Sequence, residues 1–84
     1  EIGHLARADS YKNIGLICKE QGNYEKALEY YDKSLKIKEE IGNKKGMANT
    51  LNNIGLIYKN QGNYEQALEY YDKSLKIKQI NEIF

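Results

Sequence analysis

An internal duplication constrains this chain more than any other feature. The segments Asn13–Lys38 and Asn53–Lys78 differ at three positions, and Gly15 and Gly55 set the period at 40 residues. Near-identity of this kind predicts that each unit meets almost the same neighbours, as in a stacked solenoid of repeats. The three differences are Cys18 for Tyr58, Glu20 for Asn60 and Lys26 for Gln66.

Each unit contains two apolar stripes with helical spacing. The first stripe comprises Ala8, Tyr11, Ile14, Gly15 and Cys18, repeated as Ala48, Leu51, Ile54, Gly55 and Tyr58. The second comprises Tyr24, Ala27, Leu28, Tyr31 and Leu35, repeated as Tyr64, Ala67, Leu68, Tyr71 and Leu75. Since the chain also contains no proline, the patterns predict an all-α fold of paired helices.

Gly-Asn pairs separate the helical patterns. Glycine closes a helix in the left-handed conformation, and asparagine caps the next one. A two-residue link makes the paired helices antiparallel neighbours. Inside the helices, Gly15 and Gly55 are costly unless backbones must approach closely, so we expect tight helix packing there. The pairs are Gly22-Asn23, Gly42-Asn43 and Gly62-Asn63.

Composition narrows the possible partners. The net charge is +1 with both signs interspersed, which offers no electrostatic footprint for nucleic acid or for an anionic membrane. No apolar run reaches the roughly 18 residues that a membrane helix needs. We therefore expect neither a nucleic-acid nor a membrane partner.

Reactive side chains are few. His4 has no companion for a metal site, and no phosphate loop, nucleophile–base pair or paired carboxylates are evident. We expect no cofactor, no metal and no enzymatic activity. Cys18 is interpreted either as a small buried hydrophobe or as a reactive thiol. A single cysteine gives no sign of an oxidising compartment, and we expect a cytoplasmic, intracellular location.

The duplicated unit resembles the tetratricopeptide repeat (TPR), with its pattern W-x2-L-G-x2-Y…A-x3-F…P. The matching residues are Ile54-Gly55-x-x-Tyr58, Ala67-x-x-x-Tyr71 and Leu51, and in the first unit Ile14-Gly15-x-x-Cys18, Ala27-x-x-x-Tyr31 and Tyr11. Glu39 and Gln79 replace the closing proline, and the 40-residue period exceeds the usual 34. The chain looks like the long-repeat subtype of kinesin light chains and Pins-type adaptors. The resemblance implies one domain over residues 1–84, with units at about 5–42 and 45–82 stacked in a short right-handed α-solenoid.

In that family the first helix of each unit lines a concave groove that holds a peptide or a partner helix. The implied groove residues also lie off the apolar stripes. Asn13 and Asn53 are the main candidates because an amide both donates and accepts hydrogen bonds; the alternative is a structural bond between repeats. The full set is Asp9, Lys12, Asn13, Leu16, Lys19 and Glu20, with Asn49, Asn52, Asn53, Leu56, Lys59 and Asn60.

Two sets of lysines have different interpretations. Lys12, Lys19 and Lys59 favour an acidic or carboxylate-ended ligand, although Leu16 and Leu56 occupy slots that are polar in the family's chaperone-tail binders. The other set is interpreted as a solvated convex face rather than a phosphate site. It comprises Lys33, Lys36 and Lys38, with Lys73, Lys76 and Lys78.

The alternative function is self-assembly without an external ligand. Two repeats are fewer than the roughly three that usually bury each other's faces, and the chain begins at Glu1 as if cut from a longer one. We expect association head-to-tail, or as a swapped dimer in which residues 42–46 straighten. The predicted contact residues are Leu5, Ala8 and Tyr11 at the front, and Ile80, Ile83 and Phe84 at the rear.

Overall fold

Four helices make up the described part of the chain. The computed structural model describes the backbone of residues 2–83 and the side chains of residue 3 and residues 6–79. The predicted contact residues Leu5, Ile80, Ile83 and Phe84 therefore lie outside the described side chains. The helices are α1 (Ile2–Glu20), α2 (Tyr24–Glu40), α3 (Lys44–Asn60) and α4 (Tyr64–Ile83).

Sequential packing orders these helices into a layered stack. Helix α1 packs on α2, α3 packs on α4, and the two pairs join where α2 meets α3. The stack measures 34 × 28 × 14 Å. The predicted all-α pair of helix–turn–helix units is confirmed.

The Gly-Asn links end the helices as predicted. Gly22 and Gly62 have φ angles of 80° and 79°, a conformation that glycine adopts without a Cβ penalty. At the first link the Asn23 N–H donates to the Cys18 carbonyl, while the Gly22 N–H donates to that of Lys19. These bonds satisfy carbonyls that a helix end otherwise leaves unpaired.

Asparagine caps follow two of these links. The Asn23 side chain accepts from the Lys26 N–H at 3.4 Å, and Asn43 accepts from the Gly46 N–H at 3.0 Å. The side chain of Asn63 instead donates to the amide oxygen of Gln66. The capping prediction is confirmed at Asn23 and Asn43.

Glycine permits the close approach within each pair. A Cβ added to Gly15 lies 2.8 Å from the Tyr31 ring and 3.3 Å from the Ala27 carbonyl. A Cβ on Gly55 meets Tyr71 at 2.8 Å. Such distances are well inside van der Waals contact, so the tight packing expected from the sequence is present.

The most buried line of α2 includes polar residues. Ala27 and Tyr31 are fully buried, and so are Ser34 and Lys38 farther along the same face. The Ser34 hydroxyl donates to the Ala8 carbonyl at 2.8 Å, and Ser74 does the same to Ala48. A repeated serine thus joins the helices inside each pair.

Lys38 corrects the interpretation of the convex lysines. Its side chain is 2% exposed, and its ammonium donates to the Thr50 hydroxyl at 3.2 Å. Because α3 covers this part of α2, Lys38 belongs to the interface between the pairs rather than to a solvated face. The other members of the set are exposed: Lys33, Lys36, Lys73, Lys76 and Lys78.

Candidate functional site

A depression of about 400 Å³ lies between α1 and α3. Both helices contribute equivalent parts of their surfaces, because each uses its glycine-containing stripe to pack on its own partner helix. All six lining residues belong to the predicted groove. They are Lys12, Asn13, Leu16, Asn49, Asn52 and Asn53.

The lining combines amides with one charge and one apolar side chain. Asn13 and Leu16 are exposed, and Lys12, Asn52 and Asn53 are half-buried. Carboxamides both donate and accept hydrogen bonds, whereas the ammonium only donates. The depression can therefore pair with peptide groups and attract a negative charge.

The remaining predicted groove residues lie elsewhere on the same helices. Asp9, Glu20, Lys59 and Asn60 are exposed, while Lys19 and Leu56 are half-buried. None of the six lines the depression. The structure thus brings together the middle of the predicted set and leaves the flanks outside it.

In the described part of the chain, the side chains of Asn13 and Asn53 form no hydrogen bond between the repeats. Among the described residues, the side-chain hydrogen bonds between helices run through Ser34, Ser74 and Lys38. Both asparagines keep their amides available at the depression.

The buried Lys38 is linked electrostatically to the groove. Burial lowers the pKa of the Lys38 ammonium, nearby Lys12 lowers it further, and Asp9 partly opposes the shift. Lys12 is itself a groove residue, so the site and the inter-repeat interface share an electrostatic environment. Lys38 could have been found in the sequence, because Ala27, Tyr31, Ser34 and Lys38 recur at helical spacing.

A second depression, of about 440 Å³, lies across α2, α3 and α4. The sequence did not indicate this depression, because Leu35 and Leu51 were assigned to the core stripes and Lys73 and Lys76 to the lysine face. Its lining residues are Leu35, Glu39, Met47, Leu51, Tyr70, Lys73, Lys76 and Ile77.

The predicted front contact residues face inward. Ala8 is fully buried, with its carbonyl bonded to Ser34. Tyr11 is half-buried, and its ring lies 6.0 Å from that of Tyr30 on α2. Both side chains are used inside the first pair, so neither is a freely exposed contact.

Cys18 is half-buried and packs against the core formed by Ala27, Tyr31, Ile54 and Ile57. This placement matches its interpretation as a small hydrophobe. Within the described residues, no group of three or more His, Cys, Asp or Glu side chains is arranged for a metal ion. None of the described helices has the length and apolar character needed to cross a membrane.

Comparison with known proteins agrees with the architecture. The sequence model of the tetratricopeptide repeat matches residues 4–80. The crystal structure of MamA is similar, with a TM-score of 0.79 and 30% identity over 92% of this chain. The chain spans 42% of the MamA chain, and no curated protein matches significantly. The chain belongs to the tetratricopeptide repeat family, whose members are generally non-catalytic scaffolds for protein–protein interaction.

Proposed function

We propose that the depression between α1 and α3 binds an extended peptide segment of a partner protein. The observation that carries the proposal is the convergence of four asparagines on one surface, two of them repeated at equivalent positions of the two units. Those asparagines are Asn13, Asn49, Asn52 and Asn53.

Amide lining favours backbone recognition. An extended peptide presents unpaired N–H and C=O groups, whereas a helix has already satisfied most of its own. Carboxamides complement both kinds of group without regard to the ligand's side chains. An extended segment is therefore a better ligand than a helix for this surface.

Two further residues bias the choice of peptide. The Lys12 ammonium favours an acidic side chain or a terminal carboxylate, and Leu16 offers an apolar contact. Because the depression has a single lysine, we expect charge to make a small contribution to the affinity. Salt should therefore weaken binding by a small but measurable amount.

The test is a peptide array probed with the wild-type chain and with the Asn13→Ala/Asn53→Ala double variant. Loss of two hydrogen-bonding amides, each worth about 1 kcal/mol, predicts about a tenfold or greater rise in Kd. Alanine is the better helix former, so the variant should retain its fold, which circular dichroism checks.

Gln79→Ala is the matched control, because Gln79 is an exposed amide of α4 outside the depression and outside the predicted groove. It should bind peptides like the wild type. The proposal fails if no peptide binds, or if the double variant binds as tightly as the control.

A further inference from the structure

Identical residues of α2 and α4 differ in their exposure. Tyr64, Leu68 and Leu75 of α4 are 65%, 68% and 53% exposed. Their counterparts Tyr24, Leu28 and Leu35 are half-buried. The difference arises because α3 packs on α2, while within the described residues no helix packs on the same side of α4. We call Tyr64, Leu68 and Leu75 the rear face.

At the opposite end of the stack, residues of α1 are more exposed than the equivalent residues of α3. Ile14 and Ile17 of α1 are 40% and 55% exposed. Their counterparts in α3, Ile54 and Ile57, are 5% and 0% exposed because they pack against α2. We call Ile14 and Ile17 the front face.

The interface between the two repeats shows how a front face and a rear face pack together. In it, Ile54 and Ile57 of the second unit join Ala27 and Tyr31 in one core, and Tyr24, Leu28 and Leu35 of the first unit pack against this core. The front face carries the same isoleucines, and the rear face carries the same tyrosine and leucines. We infer that the front face of a second copy of this chain docks on the rear face, extending the stack head-to-tail.

Polar groups at the two ends match as well. The buried bond from Lys38 to Thr50 joins the units within the chain. One period later, Lys78 is exposed on α4, and one period earlier, Ser10 is exposed on α1. Serine has the same hydroxyl acceptor as threonine. In the docked arrangement, the Lys78 ammonium can therefore donate to the Ser10 hydroxyl of the second copy, as Lys38 donates to Thr50 within the chain.

A second copy fits this face better than an unrelated partner. The chain itself carries the surface that its own α3 uses in the identical contact. Its net charge of +1 imposes little repulsion between copies. Because the contact joins two different faces, it leaves one of each free and produces an open series of oligomers rather than a closed dimer.

The contact should be weaker than the internal one. Across it, Cys18 and Ser10 replace Tyr58 and Thr50, which removes an aromatic ring and a methyl group. Translational entropy also opposes association between separate molecules. We expect oligomers that grow with protein concentration and dissociate on dilution.

Two single variants test the contact directly. Ile17→Glu blocks the front face, and Leu68→Glu blocks the rear face. Both positions are more than half exposed, so each carboxylate stays solvated in the folded monomer. Ile14→Glu and Leu75→Glu serve as second variants for the same faces, and Gln61→Glu, at an exposed turn, is the charge-matched control.

Light scattering coupled to size exclusion measures mass over a concentration series, with circular dichroism to verify folding. The wild type and Gln61→Glu should increase in mass with concentration, while each face variant alone stays monomeric. A mixture of Ile17→Glu and Leu68→Glu should form a one-to-one heterodimer, because one intact front meets one intact rear.

Either of two results would overturn the inference. The first is a wild type that remains monomeric at every concentration. The second is an oligomer that both blocked variants still form alone, which would place the contact elsewhere and include the swapped arrangement. These outcomes are independent of peptide binding, so failure here leaves the groove proposal standing.

Discussion

The Lys38 ammonium donates a hydrogen bond to the Thr50 hydroxyl at 3.2 Å, inside the interface that joins the two repeats. Thr50 in turn donates to the Gly46 carbonyl at 2.9 Å. Gly46 leaves the space for this arrangement, since a Cβ there would lie 2.9 Å from the Lys38 side chain. The Lys38 ammonium is thus held in the inter-repeat contact by one hydroxyl, and no carboxylate of the described residues forms an ion pair with it.

Replacing Lys38 should therefore stabilise the chain. We expect Lys38→Met to raise the free energy of unfolding by about 1 kcal/mol at pH 7, because burial of a charge without an ion-pair partner is costly. Lys78→Met is the matched control, since Lys78 is exposed and should change stability by less than about 0.5 kcal/mol. Urea denaturation of dilute protein measures both, and a destabilised Lys38→Met would contradict the prediction.

The advantage of Lys38→Met should depend on pH. Burial lowers the pKa of Lys38 in the folded state below its ordinary value of 10.5. Between these two pKa values, the unfolded chain binds more protons than the folded chain. Wild-type stability then rises relative to the variant as pH increases through the interval between the lowered pKa and 10.5. Tyrosine titration is common to both proteins and cancels in the difference. A constant difference from pH 7 to 11 would be inconsistent with a buried charge.

Alanine at Gly15 should destabilise despite its better helix propensity. The added Cβ meets the Tyr31 ring at 2.8 Å, and a fully buried ring cannot move aside. Overpacking costs about 1–3 kcal/mol, and we expect the upper part of that range for a ring that cannot move, which exceeds the gain of about 1 kcal/mol from propensity.

The same change at Gly55 should cost less, because the Tyr71 ring that it meets is only half-buried and can shift. Gly3→Ala meets nothing within 4 Å and serves as the control. Thermal melting ranks the three variants, and an unchanged or higher Tm for Gly15→Ala would refute the steric explanation.

The Tyr31 hydroxyl is buried and has no hydrogen-bond partner among the described residues. Desolvation raises its pKa, with smaller contributions from Glu20 and Cys18. Removing an unpaired buried hydroxyl should stabilise the fold, so we expect Tyr31→Phe to gain about 1 kcal/mol. Tyr71→Phe, at the half-buried equivalent position, should stay within about 0.5 kcal/mol of wild type. Equal effects in chemical denaturation would argue against a desolvated hydroxyl at Tyr31.

The isoleucine pair tests the interface between repeats. Ile57 is fully buried whereas Ile17 is 55% exposed. Ile57→Ala should cost about 2–5 kcal/mol through lost burial and a residual cavity, and Ile17→Ala should cost less than about 1 kcal/mol in monomeric protein. Comparable losses at the two sites would mean that Ile17 is covered in solution.

Much of the groove could be predicted from the repeat pattern. All six residues of the depression were in the set that the family resemblance implied, and all six lie off the apolar stripe of their helix. Lys38 was interpreted as part of a solvated face, and no role was predicted for Ser34. They follow Ala27 and Tyr31 at helical spacing, and both are buried with hydrogen-bond partners.

The sequence alone determined the four helices, their turns and their antiparallel pairing, because spacing, Gly-Asn links and small residues act over a few neighbouring positions. Only the tertiary structure decided which of two identical side chains is covered. Lys38 and Lys78 follow identical segments of sequence, yet one is 2% exposed and the other is solvated. Leu28 and Leu68 differ in the same way. Whether a residue is buried depends on which helix packs against it. The two repeats have almost the same sequence, so that sequence does not show which of them is covered by another helix.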